Sequence, residues 1–152
     1  LPRWCPPWVG FGVFAAIPGG DVLAKSDVRD AKWDGISGRA NLGWSKEHQQ
    51  VMLGRFGLKA GQPTVPQQSA AAFAGDIGIS TPLFPNPWGE CTPAQTDCRS
   101  ARHGDGDVRV TEIDQPNMDL VTFYSRNLGV PARRDLSAPQ VLRGKQVFYD
   151  SG

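Results

Sequence analysis

The chain has 152 residues, and its 16 Lys and Arg side chains against 15 Asp and Glu give a formal charge of +1. With no basic cluster beyond Arg133 and Arg134, the sequence carries no electrostatic signature of nucleic-acid binding, and no nucleic-acid partner is predicted. Its longest apolar stretch, residues 8–17, is interrupted by Gly10 and Gly12 and is shorter than the roughly 20 residues that span a bilayer, so no membrane span is predicted.

The first part of the chain predicts little regular structure. Residues 1–20 alternate Pro, Trp, Gly and Phe with neither a helical nor a strand period, which predicts an extended apolar segment packed on a core supplied by other residues. One turn of helix is predicted at residues 21–26, and a polar, glycine-bearing loop at 27–41. Residues 44–56 have apolar positions without a clean period and predict a weak hairpin or short strands.

A clear helix signal follows, and then a long irregular segment. Residues 63–75 predict a helix that begins near Pro66, where a missing N–H is harmless, and ends at Gly75. Residues 80–113 are rich in Pro, Gly and polar side chains and predict a long surface excursion, of the kind that is often functional or held by a covalent link.

Three cysteines limit the covalent chemistry of the chain. No two of them form a Cys-x-x-Cys pair and neither His follows a Cys, so the sequence lacks the covalent haem-attachment motif and the usual zinc signatures. Cys91 and Cys98 flank a short turn-forming segment that a disulfide could close, which would imply an oxidising compartment. The alternative is two buried free thiols. The partner of Cys5 is then absent or outside this chain.

Two helices are predicted near the end of the chain. Asp114 is the predicted N-cap of the stronger one, which Gly129 ends. Its predicted apolar face comprises Met118, Val121, Tyr124 and Leu128. Ser137 is the predicted N-cap of the last helix, with Pro139 in its first turn. One side of that helix carries Val141, Leu142, Lys145 and Phe148.

Several stretches together resemble a known family. They are residues 12–18, 34–41, 54–60, 62–68, 72–80, 82–85, 130–135 and 144–152. In the last of them Gly144, Phe148 and Gly152 recur at intervals of four, as in a helix that leads into Cys-x-x-Cys-His. In collinear order these stretches resemble the di-haem c-type oxidoreductases of the cytochrome c peroxidase and MauG-like superfamily, most closely the di-haem peroxidases also called "thiol oxidoreductases".

The resemblance implies a fold, a setting and an activity. It implies a mainly α, loop-rich, cytochrome-c-like fragment with long irregular connections and little β. Such proteins carry two Cys-x-x-Cys-His motifs, so residues 1–152 are expected to form a single partial domain between them, with haem c attached outside this chain. The resemblance further implies a periplasmic or otherwise exported protein that transfers electrons and reduces peroxide or a related oxidant.

The same resemblance implies partners, and one other class of function stays open. The expected partners are the rest of the chain's own polypeptide, which carries the haem-attachment motifs, and a small redox donor protein. The isolated chain is expected to be inactive. The alternative is a haem-free binding or structural module, for example in periplasmic metal handling.

The resemblance places distal-pocket candidates on and after the Pro66 helix. Gln67, Gln68 and Asp76 carry polar groups that could move a proton between the oxygens of a bound peroxide, and Phe73 would contact the cofactor. The alternatives are an exposed helix face for the two glutamines, a core position for Phe73 and a turn cap for Asp76.

Two further sites follow from the resemblance. Arg133 or Arg134 would hold a haem propionate, since a guanidinium binds a carboxylate bidentately, and Phe148 lies on the haem-attachment helix. Otherwise the two arginines are surface charges. The second site consists of Asp30, Asp34 and Asn41, around two glycines in a loop that resembles a cation-binding loop and would hold calcium through oxygen ligands. Because a lysine separates the two acids, a solvated turn is the alternative.

Overall fold

The computed structural model describes residues 8–31, 33, 35–104 and 111–151. This part of the chain forms six helices and one antiparallel hairpin, joined by long irregular connections. The helices are α1 (Phe11–Ala16), α2 (Gly19–Leu23), α3 (Val65–Asp76), α4 (Thr96–Ser100), α5 (Gln115–Asn127) and α6 (Pro139–Asp150), and the strands are β1 (Leu42–Ser45) and β2 (Gln50–Leu53). The predicted helix-rich, loop-rich class with little β is confirmed, but the arrangement is not clearly that of a cytochrome c. Among the described helices, none is long and apolar enough to cross a membrane.

The core of the described structure lies between α3 and α5, and small side chains dominate it. Val65 and Ala70 of α3 are 1% exposed, and Met118 of α5 is 4% exposed. Ser69 is fully buried, and its hydroxyl donates to the Val65 carbonyl at 2.9 Å, so its polar group is satisfied within α3. Small residues at the contact allow the two helices to approach closely.

The buried face of α5 differs from the predicted one. Met118 is buried as predicted, but Tyr124 is 65% exposed, and Thr122 and Ser125 are buried instead. Positions 118, 122 and 125 also follow the i, i+4, i+7 period, so periodicity alone permits both faces. Because α3 packs against α5, the face of α5 that carries the small side chains of Thr122 and Ser125 is the one that is buried.

The prediction of an extended segment at residues 1–20 is wrong for its described part, because residues 11–16 form α1. A six-residue helix is too short to be stable alone, so contacts distant in sequence must stabilise it. The rings of Phe11 and Phe14 lie 5.0 Å and 5.7 Å from the ring of Phe56, which is 2% exposed. Gly12 lies so close to the Arg126 carbonyl of α5 that a side chain would not fit there.

The helix boundaries confirm one predicted cap, correct another, and add a cap at Thr64 that the sequence analysis did not name. The Thr64 hydroxyl accepts the Gln67 N–H at 3.2 Å at the start of α3, near the predicted Pro66. The Asp114 carboxylate accepts an N–H in the first turn of α5, as predicted. The N-cap of α6 is Ala138 rather than Ser137. A residue before proline is restricted to extended conformations, which makes Ala138 the last non-helical position before Pro139.

Residues 80–113 leave and re-enter the core at one place. The Ile113 N–H donates to the Ser80 carbonyl at 3.2 Å. The Glu112 carboxylate accepts the Ser80 N–H at 2.8 Å and the Gly104 N–H at 2.8 Å. Helix α4 and several turns make up the described part of this excursion. The hairpin predicted within residues 44–56 is formed by β1 and β2, at residues 42–53, and Trp44 pairs with Val51 in it.

Candidate functional site

A groove of about 450 Å³ runs along α6 and the segment before it. Its lining residues are Arg133, Arg134, Leu136, Val141, Leu142, Lys145, Phe148 and Tyr149. The five lining residues of α6 recur at intervals of one, three, three and one, which is one face of a helix. We call this cavity the arginine groove. It brings together Arg133, Arg134 and Phe148, three of the four residues that the sequence analysis places near a haem, whereas the fourth, Phe73, does not line it.

The arginine groove is lined by both apolar and cationic side chains. Phe148 and Tyr149 are 75% and 66% exposed, and their ring centroids lie 5.8 Å apart in an edge-to-face arrangement. The Lys145 ammonium lies 5.9 Å from the Tyr149 ring centroid. Among the described residues that line the groove, three are cationic and none is acidic. A turn at Asp135, whose carbonyl accepts the Ala138 N–H at 2.9 Å, connects the two arginines to α6.

The sequence identifies only part of this groove. Leu136, Lys145 and Tyr149 are not predicted as site residues. The i, i+4, i+8 spacing of Val141, Lys145 and Tyr149 is the signal that could have revealed the two on α6, whereas Leu136 carries no such signal. No residue of α6 is buried, so its apolar face is exposed in the structure. A large exposed apolar surface of this kind marks a place where a ligand or another part of a protein binds.

A second cavity, of about 340 Å³, lies between α3 and α5. It is lined by Trp8, Ser69, Ala72, Phe73, Asp76, Ile77, Val121, Tyr124, Ser125 and Leu128. Phe73 and Asp76 therefore line the same cavity, and Asp76 is the one acidic residue among its described lining residues. The exposed flank of α5, including Tyr124, supplies the opposite wall, which the sequence did not predict. We call this cavity the interhelical cavity.

Gln67 does not line either cavity, because its side chain holds the hairpin against α3. It is 3% exposed. Its Oε1 accepts the Lys46 N–H at 2.7 Å, and its Nε2 donates to the Trp44 carbonyl at 3.0 Å and to Gln62 Oε1 at 2.8 Å. The expected alternative, an exposed helix face, is wrong for this residue. All of its polar atoms are occupied by structural hydrogen bonds.

Gln68 differs from its neighbour. Its Oε1 is buried and has no hydrogen-bond partner among the described residues. Gly57, at φ 79°, faces this oxygen so closely that a Cβ there would lie 3.0 Å from it. Gln68 is not among the residues that line the interhelical cavity with Asp76. Of the three predicted proton-handling residues, Asp76 alone lies in a cavity large enough for a ligand.

The predicted cation loop is only partly described, since Asp34 lies outside the described residues. The Asp30 carboxylate accepts the Gly35 N–H at 3.1 Å. The Asn41 amide donates to the carbonyls of Lys59 and Ala60 at 3.0 Å and 3.2 Å, which ties it to a different turn. Within the described ranges, no group of three or more His, Cys, Asp or Glu side chains could hold a metal ion.

Cys91 and Cys98 are joined by a disulfide, with their Cα atoms 6.1 Å apart. The bond closes a loop next to the end of α3, where Gly89 approaches the Ala74 carbonyl. The guanidinium of Arg99 lies 4.6 Å from the Trp88 ring centroid, and these two residues flank the closed loop on either side. The disulfide therefore stiffens the segment that covers the C-terminal end of α3.

Glu112 is a structural carboxylate at the end of the excursion. The hydrogen bond from the Ser80 N–H is the main cause that holds the pKa of this carboxyl below its ordinary value. Burial acts in the opposite direction and raises the pKa, whereas the hydrogen bonds from the Gly104 N–H and the Ser80 hydroxyl lower it further. His103 makes a smaller contribution in the same direction. The hydrogen-bond partners of Glu112 are 8 and 32 residues away in the sequence, so no local motif marks this residue.

Comparison with known proteins gives one match. A family model described as "Di-haem oxidoreductase, putative peroxidase" matches residues 2–151. Comparison with curated proteins found no match, and neither did comparison with solved structures.

Proposed function

Since the chain belongs to this family of di-haem oxidoreductases, we propose that residues 1–152 supply pocket walls and scaffold to a haem enzyme that reduces peroxide. The oxidoreductase role follows from the family. Electron transfer, peroxide as the oxidant, a periplasmic location and haem attachment outside this chain are parts of the proposal. The observation that carries it is the convergence of Arg133, Arg134 and Phe148 on the arginine groove.

The arginine groove fits a haem in the chemistry of its lining. Haem is a flat apolar macrocycle with two carboxylates at one edge, and the groove is lined by five apolar or aromatic residues and three cations. Phe148 and Leu142 would contact the macrocycle, while Arg133 or Arg134 would hold a propionate through a charge-assisted hydrogen bond. When bound, haem supplies a redox-active iron, and the protein supplies orientation, hydrogen bonds and dielectric.

Covalent attachment of haem c requires Cys-x-x-Cys-His, which is absent from residues 1–152. The attachment residues of the proposed enzyme therefore lie elsewhere in its polypeptide. This supports the role of the chain as the part that surrounds a haem rather than the part that is bonded to it. The partner it needs is the remainder of its own polypeptide, and a small redox protein would deliver electrons.

Asp76 is the residue we propose for proton transfer in the interhelical cavity. A peroxide bond breaks more readily when a positioned side chain moves a proton from one oxygen to the other. Asp76 shares the cavity with Phe73, and the other lining residues are mostly apolar. Gln67 has no part in this step, because its amide is occupied by the hairpin.

The disulfide supports an exported protein. Disulfides persist in the bacterial periplasm and other oxidising compartments and are rare in the cytosol. The bond between Cys91 and Cys98 agrees with that setting.

The proposal is tested by counting covalent haem. The full reading frame that contains residues 1–152 is expressed with a c-type cytochrome maturation system, and a pyridine haemochrome assay is combined with the intact mass. We expect two covalently bound haems and oxidation of the reduced protein by hydrogen peroxide. A product with no covalent haem contradicts the proposal.

A further inference from the structure

We propose that the oxidant taken by the interhelical cavity is an organic hydroperoxide, which carries an alkyl or aryl group on one of its two oxygens. The inference rests on the proposed function, because it takes Asp76 as the proton-transfer residue of this cavity. It adds the class of oxidant, which the family description does not specify, and it assigns the apolar lining of the cavity to substrate specificity. Hydrogen peroxide remains a substrate, but a poorer one.

The size of the cavity is the first argument. Its volume of about 340 Å³ lies in the range of cavities that hold organic ligands, which begins at about 300 Å³. A single water molecule needs only about 10–15 Å³ of such space, so hydrogen peroxide, with two oxygens, would use a small fraction of it. The remaining volume would hold water against apolar side chains. An organic hydroperoxide fills that volume with its own apolar group.

The arrangement of the lining along α3 is the second argument. Ser69, Ala72, Phe73 and Asp76 line the cavity at intervals of three, one and three residues, which is one face of a helix. At a rise of about 1.5 Å per residue, Asp76 lies about 10 Å along the helix axis from Ser69. Hydrogen peroxide bound at Asp76 would therefore contact only one end of this face. A larger oxidant held there by its O–H group extends along Ala72 and Phe73.

The polarity of the lining is the third argument. The Ser69 hydroxyl already donates to the Val65 carbonyl, and Asp76 is the one acidic residue among the described lining residues. Hydrogen peroxide carries a donor and an acceptor on each oxygen, and placing these against apolar side chains without partners is unfavourable. An organic hydroperoxide presents one O–H group to Asp76 and its apolar group to Phe73 and Val121. Burial of that apolar group favours binding.

The exposed side of the cavity admits a ligand of this size. Ile77, just after α3, and Tyr124 of α5 both line the cavity, and they are 62% and 65% exposed. Ser69 and Ser125 of the same lining are buried. An organic molecule can therefore enter from the side of Ile77 and Tyr124 without separating the two helices.

The proposed reaction is a two-electron reduction. The O–O bond breaks, and Asp76 moves the hydroperoxide proton to the oxygen that carries the organic group, which leaves as an alcohol. The other oxygen takes two electrons and two protons and leaves as water. The electrons come from the reduced haems of the proposed enzyme, which a one-electron donor protein reduces again.

The inference is tested by measuring the steady-state reduction of three peroxides by the full reading frame with its haems attached. They are hydrogen peroxide, tert-butyl hydroperoxide and cumene hydroperoxide. We expect kcat/KM to rise in that order, and to be at least about tenfold higher for cumene hydroperoxide than for hydrogen peroxide, since the apolar surface buried grows along the series. Cumyl alcohol, the redox-inert product of cumene hydroperoxide, should bind saturably in ligand-observed NMR and inhibit its reduction competitively.

Two matched pairs of variants locate the effect. Ala72→Leu adds volume inside the cavity and should raise KM for cumene hydroperoxide about tenfold more than KM for hydrogen peroxide. Its control is Ala71→Leu, at a position of α3 that is not among the described lining residues.

The second pair uses exposed positions and carries the test if Ala72→Leu does not fold. Ile77→Ala removes apolar surface from the lining and should weaken binding of cumyl alcohol about threefold. Its control is Leu120→Ala, at a residue of α5 that is 66% exposed and is not among the described lining residues. Both controls should keep the wild-type values, and circular dichroism checks that each variant is folded.

Four results would overturn the inference. They are a kcat/KM for hydrogen peroxide equal to or above that for cumene hydroperoxide, no saturable binding of cumyl alcohol, no preferential effect of a folded Ala72→Leu variant, and equal effects of the cavity variants and their controls. Any of these in a protein that carries two haems and reduces hydrogen peroxide leaves the proposed function intact. A product with no covalent haem contradicts the proposed function and the inference together, and the haem count distinguishes this failure from the others.

Discussion

Adjacent glutamines on α3 offer a sharp test of how the hairpin is held. Replacing Gln67 by Leu keeps most of the side-chain volume but removes the partner of the Lys46 N–H, at 2.7 Å, and of the Trp44 carbonyl, at 3.0 Å. Leaving a buried backbone group unpaired costs about 1–3 kcal/mol. Both groups are only partly buried, so we take the lower part of that range for each. We expect Gln67→Leu to lower the free energy of unfolding by about 2–3 kcal/mol.

Gln68→Leu is the matched control for this prediction. The Gln68 Oε1 is buried and has no described hydrogen-bond partner, so replacing it with a methyl group removes no hydrogen bond that the structure shows. We expect its free energy of unfolding to stay within about 1 kcal/mol of the wild type, with any change in the stabilising direction. Urea denaturation followed by far-ultraviolet circular dichroism measures both. Equal losses for the two variants, or a loss below about 1 kcal/mol for Gln67→Leu, would refute the assignment of Gln67 to the hairpin.

Three further predictions concern the scaffold. Because the pKa of Glu112 is lowered in the fold, its carboxylate stabilises the protein at pH values above the pKa that this group has in the unfolded chain, and this stabilisation is lost as pH falls through the folded pKa. Glu112→Gln should therefore flatten the acid side of a plot of unfolding free energy against pH. An unchanged profile would contradict the prediction. Gly12→Ala should lower the free energy of unfolding, measured by urea denaturation, by about 2–3 kcal/mol, because a Cβ would collide with a carbonyl of α5. Gly20 has open space around it, so the free energy of unfolding of Gly20→Ala should stay within about 1 kcal/mol of the wild type. Mass spectrometry after alkylation should find Cys91 and Cys98 protected together until a reductant is added, and free alkylation of both would disprove the disulfide.

The parts of the fold that the sequence predicts are those with local causes. Asp114 caps α5 through a hydrogen bond to a residue three positions later, and the helix beginning near Pro66 is marked by its own first turn. Such signals are complete within a few residues. The hairpin at residues 42–53 is likewise local. The predictions for these elements are confirmed for that reason.

The parts that the sequence misses depend on distant contacts. Helix α1 exists because Phe11 and Phe14 pack on Phe56, more than 40 residues later, and because Gly12 fits against α5. Glu112 closes the excursion through a partner 32 residues away. A single sequence contains no period or motif that links such positions.

The candidate site shows the same division. Arg133, Arg134 and Phe148 meet in one groove because a single turn and a single helix position all three. Gln67, by contrast, is directed into the hairpin rather than a cavity, since β1 offers a carbonyl and an N–H at its edge. Its role depends on a strand more than 20 residues earlier in the chain, which the resemblance to a family could not reveal.

The central claim is that a haem lies beside the arginine groove, and a potentiometric titration tests it most directly. The full reading frame is compared with its Arg133→Ala and Arg134→Ala double variant and with an Arg143→Ala control, whose arginine lies on α6 but is not among the described residues that line the groove. Removing two cations from beside a haem destabilises its reduced state, which is the less positive one. Because both arginines are exposed, solvent screens the effect, and we expect one midpoint potential to fall by roughly 20–60 mV, which corresponds to about 0.5–1.4 kcal/mol for one electron. The other haem and the Arg143→Ala control should keep their potentials. Unchanged potentials in the double variant, or the same shift in the control, would contradict the claim.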